Sequence, residues 1–80
     1  MAVRVLFLGP LRDMAGMAET ELPAPLNWDG LLAAVPSEVA EQLRESQVHV
    51  ACAGKVLTDK TTLAAQDGDE VALLPPVSGG

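Results

Sequence analysis

Asp67-Gly68-Asp69-Glu70-Val71-Ala72-Leu73-Leu74-Pro75-Pro76-Val77-Ser78-Gly79-Gly80 ends the sequence. Asp-Gly-Asp is turn chemistry: aspartates bond their own backbone, and glycine takes the positive φ that tight turns need. Glu70 to Leu74 then reads as a short strand. Its two-residue period puts Val71 and Leu73 on one face, Ala72 and Leu74 on the other. Both faces are apolar, so the strand belongs in the middle of a sheet. Pro75 lacks an N–H and ends the ladder. Pro75 and Pro76 together bias the backbone toward the extended polyproline form. Fully extended, the six residues after Leu74 reach roughly 20 Å. Neither Gly79 nor Gly80 carries a side chain. Two readings fit that ending: a frayed terminus, or a carboxylate carried on a stiff spacer into a narrow partner site.

The other end of the sequence supplies a matching strand. Val3-Arg4-Val5-Leu6-Phe7-Leu8 is short, β-branched and apolar, and Gly9-Pro10 ends it. Val3, Val5 and Phe7 share one face; Arg4, Leu6 and Leu8 share the other. Residues 11–16 fit one helical turn stopped by Gly16. Residues 18–22 read as a short polar strand, and Pro23 and Pro25 suggest a sheet edge. Asn27 is a helix N-cap with Asp29 in the first turn, where a negative charge suits the helix dipole. Leu31, Leu32 and Val35 form a helical stripe that Pro36 breaks or restarts. Ser37 is placed to cap a second segment, 38–45. Val48, Val50 and Cys52 alternate with Gln47, His49 and Ala51 as a strand. Ala53-Gly54 turns it into a hairpin with Lys55-Val56-Leu57. Residues 58–66 read as irregular, with Leu63 turned inward.

That order predicts an α+β roll: a mixed sheet of about five strands, covered on one face by one main helix. The open face then shows Leu6, Leu8, Ala72 and Leu74. His49 and Ala51 join it if their strand lies beside the last one. An apolar patch on an open face marks a partner surface, unless it is small and merely tolerated.

Composition narrows the function. With 80 residues the chain is one domain. Its net charge of −6 argues against nucleic acid and against anionic membranes, which select Lys/Arg clusters. The acidic residues are dispersed, which suits solubility and also tolerates a basic protein partner. Cys52 is the single cysteine, so no internal disulfide forms. No apolar run approaches a membrane span, and the N-terminus lacks signal-peptide features. A cytoplasmic location is expected. Cys52 shares phase with Val48 and Val50 and reads as a core residue rather than a persulfide carrier. His49 has no Cys or His at ligand spacing, so no metal site is expected. Asp67 to Glu70 begins like a calcium loop but lacks the later ligands. No phosphate-binding glycine loop and no Ser/His/Asp set are present. The one unusual chemical group is the Gly80 carboxylate.

The last fourteen residues, and the run Val3–Leu8 with Leu11–Gly16, resemble the small subunit of molybdopterin synthase, a ubiquitin-like sulfur carrier. The likeness spans nearly the whole sequence; Pro-Pro-Val-Ser-Gly-Gly is the specific part, and residues 23–46 carry it only weakly. This chain has Leu73-Leu74 where the family often has aromatics. The resemblance implies a β-grasp fold over residues 1–74 and an extended tail over 75–80. It implies that an ATP-dependent, ubiquitin-activating-enzyme-like adenylyltransferase activates Gly80, and that sulfur then replaces AMP to leave a thiocarboxylate. The large synthase subunit would admit Gly79 and Gly80, and sulfur would pass to cyclic pyranopterin monophosphate. The family assembly is a heterotetramer with catalytic residues on the large subunit, so the chain alone is not an enzyme and binds no cofactor. Leu6, Leu8, Leu74, Pro75, Pro76, Val77 and Ser78 are then the partner-binding residues. The alternatives are a sulfur carrier for thiamin or tRNA thiolation, a ubiquitin-like protein modifier, or a non-reactive interaction module.

Overall fold

The computed structural model describes residues 1–76; Val77, Ser78, Gly79 and Gly80 lie outside the described residues. The chain runs β1 (Ala2–Phe7), α1 (Pro10–Ala15), β2 (Glu19–Pro23), β3 (Leu26–Asn27), α2 (Trp28–Ala34), α3 (Ser37–Leu43), β4 (His49–Cys52) and β5 (Lys55–Val56). A 3₁₀ turn (Lys60–Thr62), β6 (Ala64–Ala65) and β7 (Glu70–Leu74) complete it.

Five strands form the main sheet in the order β2-β1-β7-β4-β5. The two strands that are apolar on both faces, β1 and β7, lie side by side and parallel, with Val5 opposite Val71 and Phe7 opposite Leu73. β7 is the central strand, with β4 antiparallel on its far side, Val50 opposite Leu73. β2 is an edge, as its prolines suggest. The β4–β5 hairpin turns on Ala53 (φ 52°) and Gly54 (φ 86°), two successive left-handed residues.

One sheet face is packed. Val3, Val5, Phe7, Val50, Val71 and Leu73 from the strands meet Leu11, Leu31, Val35, Val39, Ala40 and Leu43 from the helices. The core is Val, Leu and Ala with one Phe, and no polar or charged residue is buried among the described residues.

The helical layer differs in detail from the expected single main helix. It holds three short helices, with α1 packed on α3 and α2 beside α3. Pro36 is the cause of the α2–α3 break. It has no N–H for the ladder and drives Val35 extended, at φ −92° and ψ 160°. The α3 N-cap is Pro36 rather than Ser37, and no side chain caps it. Asn27 does cap α2, its Oδ1 accepting from the Gly30 N–H at 2.8 Å. Residues 58–66 are more ordered than their irregular pattern suggested. Asp59 Oδ1 accepts from the Thr61 N–H and hydroxyl, at 3.0 and 2.6 Å, and starts the 3₁₀ turn. Those two bonds hold the Asp59 carboxyl below the ordinary carboxylate range. β6 then pairs with β3 in a separate two-stranded sheet. Leu63 is buried, as expected.

Candidate functional site

The uncovered sheet face divides into a charged end and an apolar end. At the charged end Arg4 Nε lies 3.3 Å from Glu19 and Arg4 Nη1 lies 3.7 Å from Glu70, with Glu21 opposite Arg4 in the ladder. These are exposed pairs, each worth about 0–1 kcal/mol. A shallow cleft of about 280 Å³ opens there, lined by Ala2, Arg4, Glu21, Gly68, Asp69 and Glu70.

The apolar end lies where β1 and β7 finish. Ala72 sits between Leu6 of β1 and Ala51 of β4, and Ala51 faces Val56 of β5. Directly opposed residues share a face, so Leu6, Ala72, Ala51 and Val56 form one row across the sheet, which Glu19 of β2 closes beside Leu6. Leu74 stands opposite His49 in the next row, and Leu8 follows directly on the end of β1. Leu6, Ala72 and Leu74 are half-buried, whereas Leu8 and Val56 are 39% and 59% exposed. The structure thus brings Leu6, Leu8 and Leu74 onto one surface, with His49 and Ala51 beside them. Val56 is a member the sequence reading missed. The two-residue turn at Ala53-Gly54 carries that register, since it sets Cys52 opposite Lys55 and Ala51 opposite Val56.

The polypeptide leaves the sheet from this apolar end. Pro75 is half-buried and Pro76 exposed. Gly9, in the turn after β1, holds φ 56° and ψ −134°. A Cβ built on it would lie 3.1 Å from the Pro75 ring carbon Cγ. The base of the tail is therefore seated against bare backbone. The expectations for Val77, Ser78, Gly79 and Gly80 fall outside the described residues.

Cys52 lies on the core side, opposite Val71, and is half-buried against the core. Its Sγ is 4.0 Å from Asp69 Oδ2. Burial first, and the nearby Asp69 charge second, push the thiol pKa up. That is the reverse of what an activated thiolate needs. His49 is exposed on the open face. Among the described residues no three His, Cys, Asp or Glu side chains gather as a metal site, and no helix is long and apolar enough to cross a membrane.

A five-stranded mixed sheet, helices on one face and a strand that ends in a Pro-Pro exit define a ubiquitin-like β-grasp domain of the sulfur-carrier type. The sequence matches the ThiS family over residues 5–80, and the chain belongs to that family. Its structure is similar to a chain in the protein–protein complex of subunits 1 and 2 of molybdopterin-converting factor from Helicobacter pylori 26695. That pair shares 26% identity, covers 100% of each chain and gives a TM-score of 0.66. A second similar structure is described as molybdopterin converting factor, subunit 1, from Pyrococcus furiosus, at 25% identity and TM-score 0.69, covering 96% of this chain and 99% of that one. The fold is shared with SAMP1 from Haloferax volcanii, at 24% identity and TM-score 0.75, covering 100% of both chains. No curated protein sequence matches significantly.

Proposed function

We propose that this chain is the sulfur-carrying small subunit of a molybdopterin synthase. Residues 1–74 act as the folded carrier and residues 75–80 as its extended tail. The observation that carries the reading is the continuity of the apolar face with the tail exit. Leu6, Leu8 and Leu74 border the point where β7 runs into Pro75-Pro76, so a partner that admits the tail also covers that face. Family membership through residue 80 and the likeness to molybdopterin-converting factor subunits support it.

In this reading a Gly80 carboxylate oxygen attacks the α-phosphorus of ATP on a separate adenylyltransferase, and pyrophosphate leaves. Sulfide attacks the acyl carbon of the adenylate, a C–S bond forms, and AMP departs with the former carboxylate oxygen. The Gly80 thiocarboxylate sulfur then bonds to a carbon of cyclic pyranopterin monophosphate in the large subunit, displacing an oxygen substituent. Water cleaves the acyl C–S bond, which leaves sulfur on the pterin and returns the Gly80 carboxylate. The two glycines leave the tail narrow enough to enter such a site. The catalytic groups for transfer belong to the large subunit, in a heterotetramer, and this chain binds no cofactor of its own. The cytoplasm supplies ATP and the reducing conditions that preserve a thiocarboxylate.

The test is intact mass after incubation with ATP, activating enzyme and sulfide. The expected result is a gain matching replacement of one oxygen by sulfur, followed by its loss when pterin precursor and large subunit are added. Discharge only to a thiamin precursor, a tRNA or a protein lysine would assign another pathway. Deletion of Gly80 is expected to abolish sulfur uptake and leave the melting temperature unchanged. Normal turnover by the truncated chain would sink the mechanism.

A further inference from the structure

We infer that Gly9 is a positioning residue that sets the direction in which the tail leaves the domain. This rests on the sulfur-carrier reading and adds to it a residue outside the tail. The argument starts from strand pairing. β1 and β7 run parallel and their ladder ends with Phe7 beside Leu73; two residues further along each strand, Gly9 lies against the Pro75 ring. The two chains must part there. Pro75 has no N–H with which to extend the ladder. Gly9 turns β1 away, with the Leu11 and Arg12 N–H groups bonding back to the Leu8 and Gly9 carbonyls at 3.1 Å each.

Two separate features require glycine at this turn. Its backbone, φ 56° with ψ −134°, lies where side-chain-bearing residues are strongly disfavoured. Its missing side chain also leaves the space the Pro75 ring uses, since a Cβ would come within 3.1 Å of Pro75 Cγ. Gly16, Gly54 and Gly68 also have positive φ, yet a Cβ on any of them meets nothing within 4 Å. Gly9 alone among these combines the conformation with a contact, and the contact is to the first residue of the tail. Relief of the clash means moving the ring. Both Pro75 and Pro76 have fixed φ and the residue before a proline is held extended, so little backbone rotation is left to absorb a shift of the first ring before the second.

The experiment is a double-mutant cycle of Gly9→Ala, Pro75→Ala and both together, read in two ways. Backbone strain at Gly9 is independent of Pro75, so Gly9→Ala should lower the melting temperature in either background, with the larger drop where the Pro75 ring is present. Tail direction depends on the ring. Gly9→Ala should therefore slow single-turnover sulfur transfer about 10-fold or more at saturating large subunit, because a shift of a few tenths of an ångström at the base swings a tail that reaches roughly 20 Å, and a misplacement near 1 Å at the reacting group costs about 100-fold. In the Pro75→Ala background the loss should shrink to about 3-fold or less. Within each Pro75 background, Gly9→Ala should leave the affinity for the large subunit unchanged, since Gly9 is not part of the docking face. Equal rate losses in both backgrounds would overturn the proposal and leave Gly9 a folding residue only. A nuclear Overhauser contact between Gly9 Hα and the Pro75 ring protons is expected in the unmodified chain, and its absence in the folded protein would also overturn it. A wild-type chain that takes up no sulfur removes the sulfur-carrier reading and the positioning role with it. The Gly9–Pro75 packing is then judged by the Overhauser contact alone.

Discussion

Cys52 shows how burial decides the role of a reactive residue type. It shares the core face with Val50 and Val71, and burial and Asp69 both raise its thiol pKa. The thiolate is the nucleophile, so alkylation by iodoacetamide at pH 7.5 should run well below the rate of a free thiol and recover on denaturation. Cys52→Ala should keep full carrier activity and lose about 1 kcal/mol or less of stability by urea titration, because the site is only half-buried. Loss of sulfur transfer in a folded Cys52→Ala chain would make the thiol a relay instead. This residue was legible from alternation alone, as was the Asn27 cap. Gly9 was read only as a strand stop, because its second role needs the spatial neighbour Pro75, far away in sequence.

β7 gives two adjacent leucines opposite fates. Leu73 is fully buried between Phe7 and Val50, while Leu74 is half-buried on the open face beside His49. Leu73→Glu places a carboxylate in a core without polar partners and should leave the chain unfolded by circular dichroism. Leu74→Glu should fold normally and weaken binding to the large subunit by about 2 kcal/mol or more in calorimetric titration, as for an apolar anchor. Swapped phenotypes would mean the register of β7 is wrong. Strands longer than three residues announced themselves through two-residue alternation, so β1, β4 and β7 and their faces were readable beforehand. β3 and β6 were not, since two-residue strands have no period to detect. The split of the helical layer was signalled by Pro36, but the packing of α1 on α3 was not. The helices are short enough that tertiary contact, rather than propensity, places them.

Across the whole molecule, Lys60 ties together regions with no local reason to meet. Its Nζ donates to the Glu45 carbonyl and, at 2.8 Å, to the Val48 carbonyl, and lies 5.9 Å from the centre of the Trp28 ring. The end of α3, the approach to β4 and the start of α2 are thereby joined. Desolvation lowers the Lys60 pKa, with Glu45 opposing it. Lys60→Met keeps the aliphatic stem and leaves two carbonyls without their charged donor. It should cost about 1–2 kcal/mol, a drop of roughly 5–10 °C in Tm by calorimetry. An unchanged Tm would show that water replaces the ammonium at no cost. The parallel pairing of β1 with β7 has a consequence for biosynthesis. The first strand of the sheet in chain order needs as its neighbour the last one, and the β4–β5 hairpin joins the sheet only through that same strand. No N-terminal fragment ending before Glu70 holds a sheet with its centre filled. The nascent polypeptide must therefore wait, Val3, Val5 and Phe7 unsheltered, until Leu74 has cleared the exit tunnel. Non-local pairing of this kind slows folding and lengthens exposure to aggregation. Ribosome-bound chains stalled short of β7 should be protease-sensitive throughout and become resistant in one step once that strand emerges.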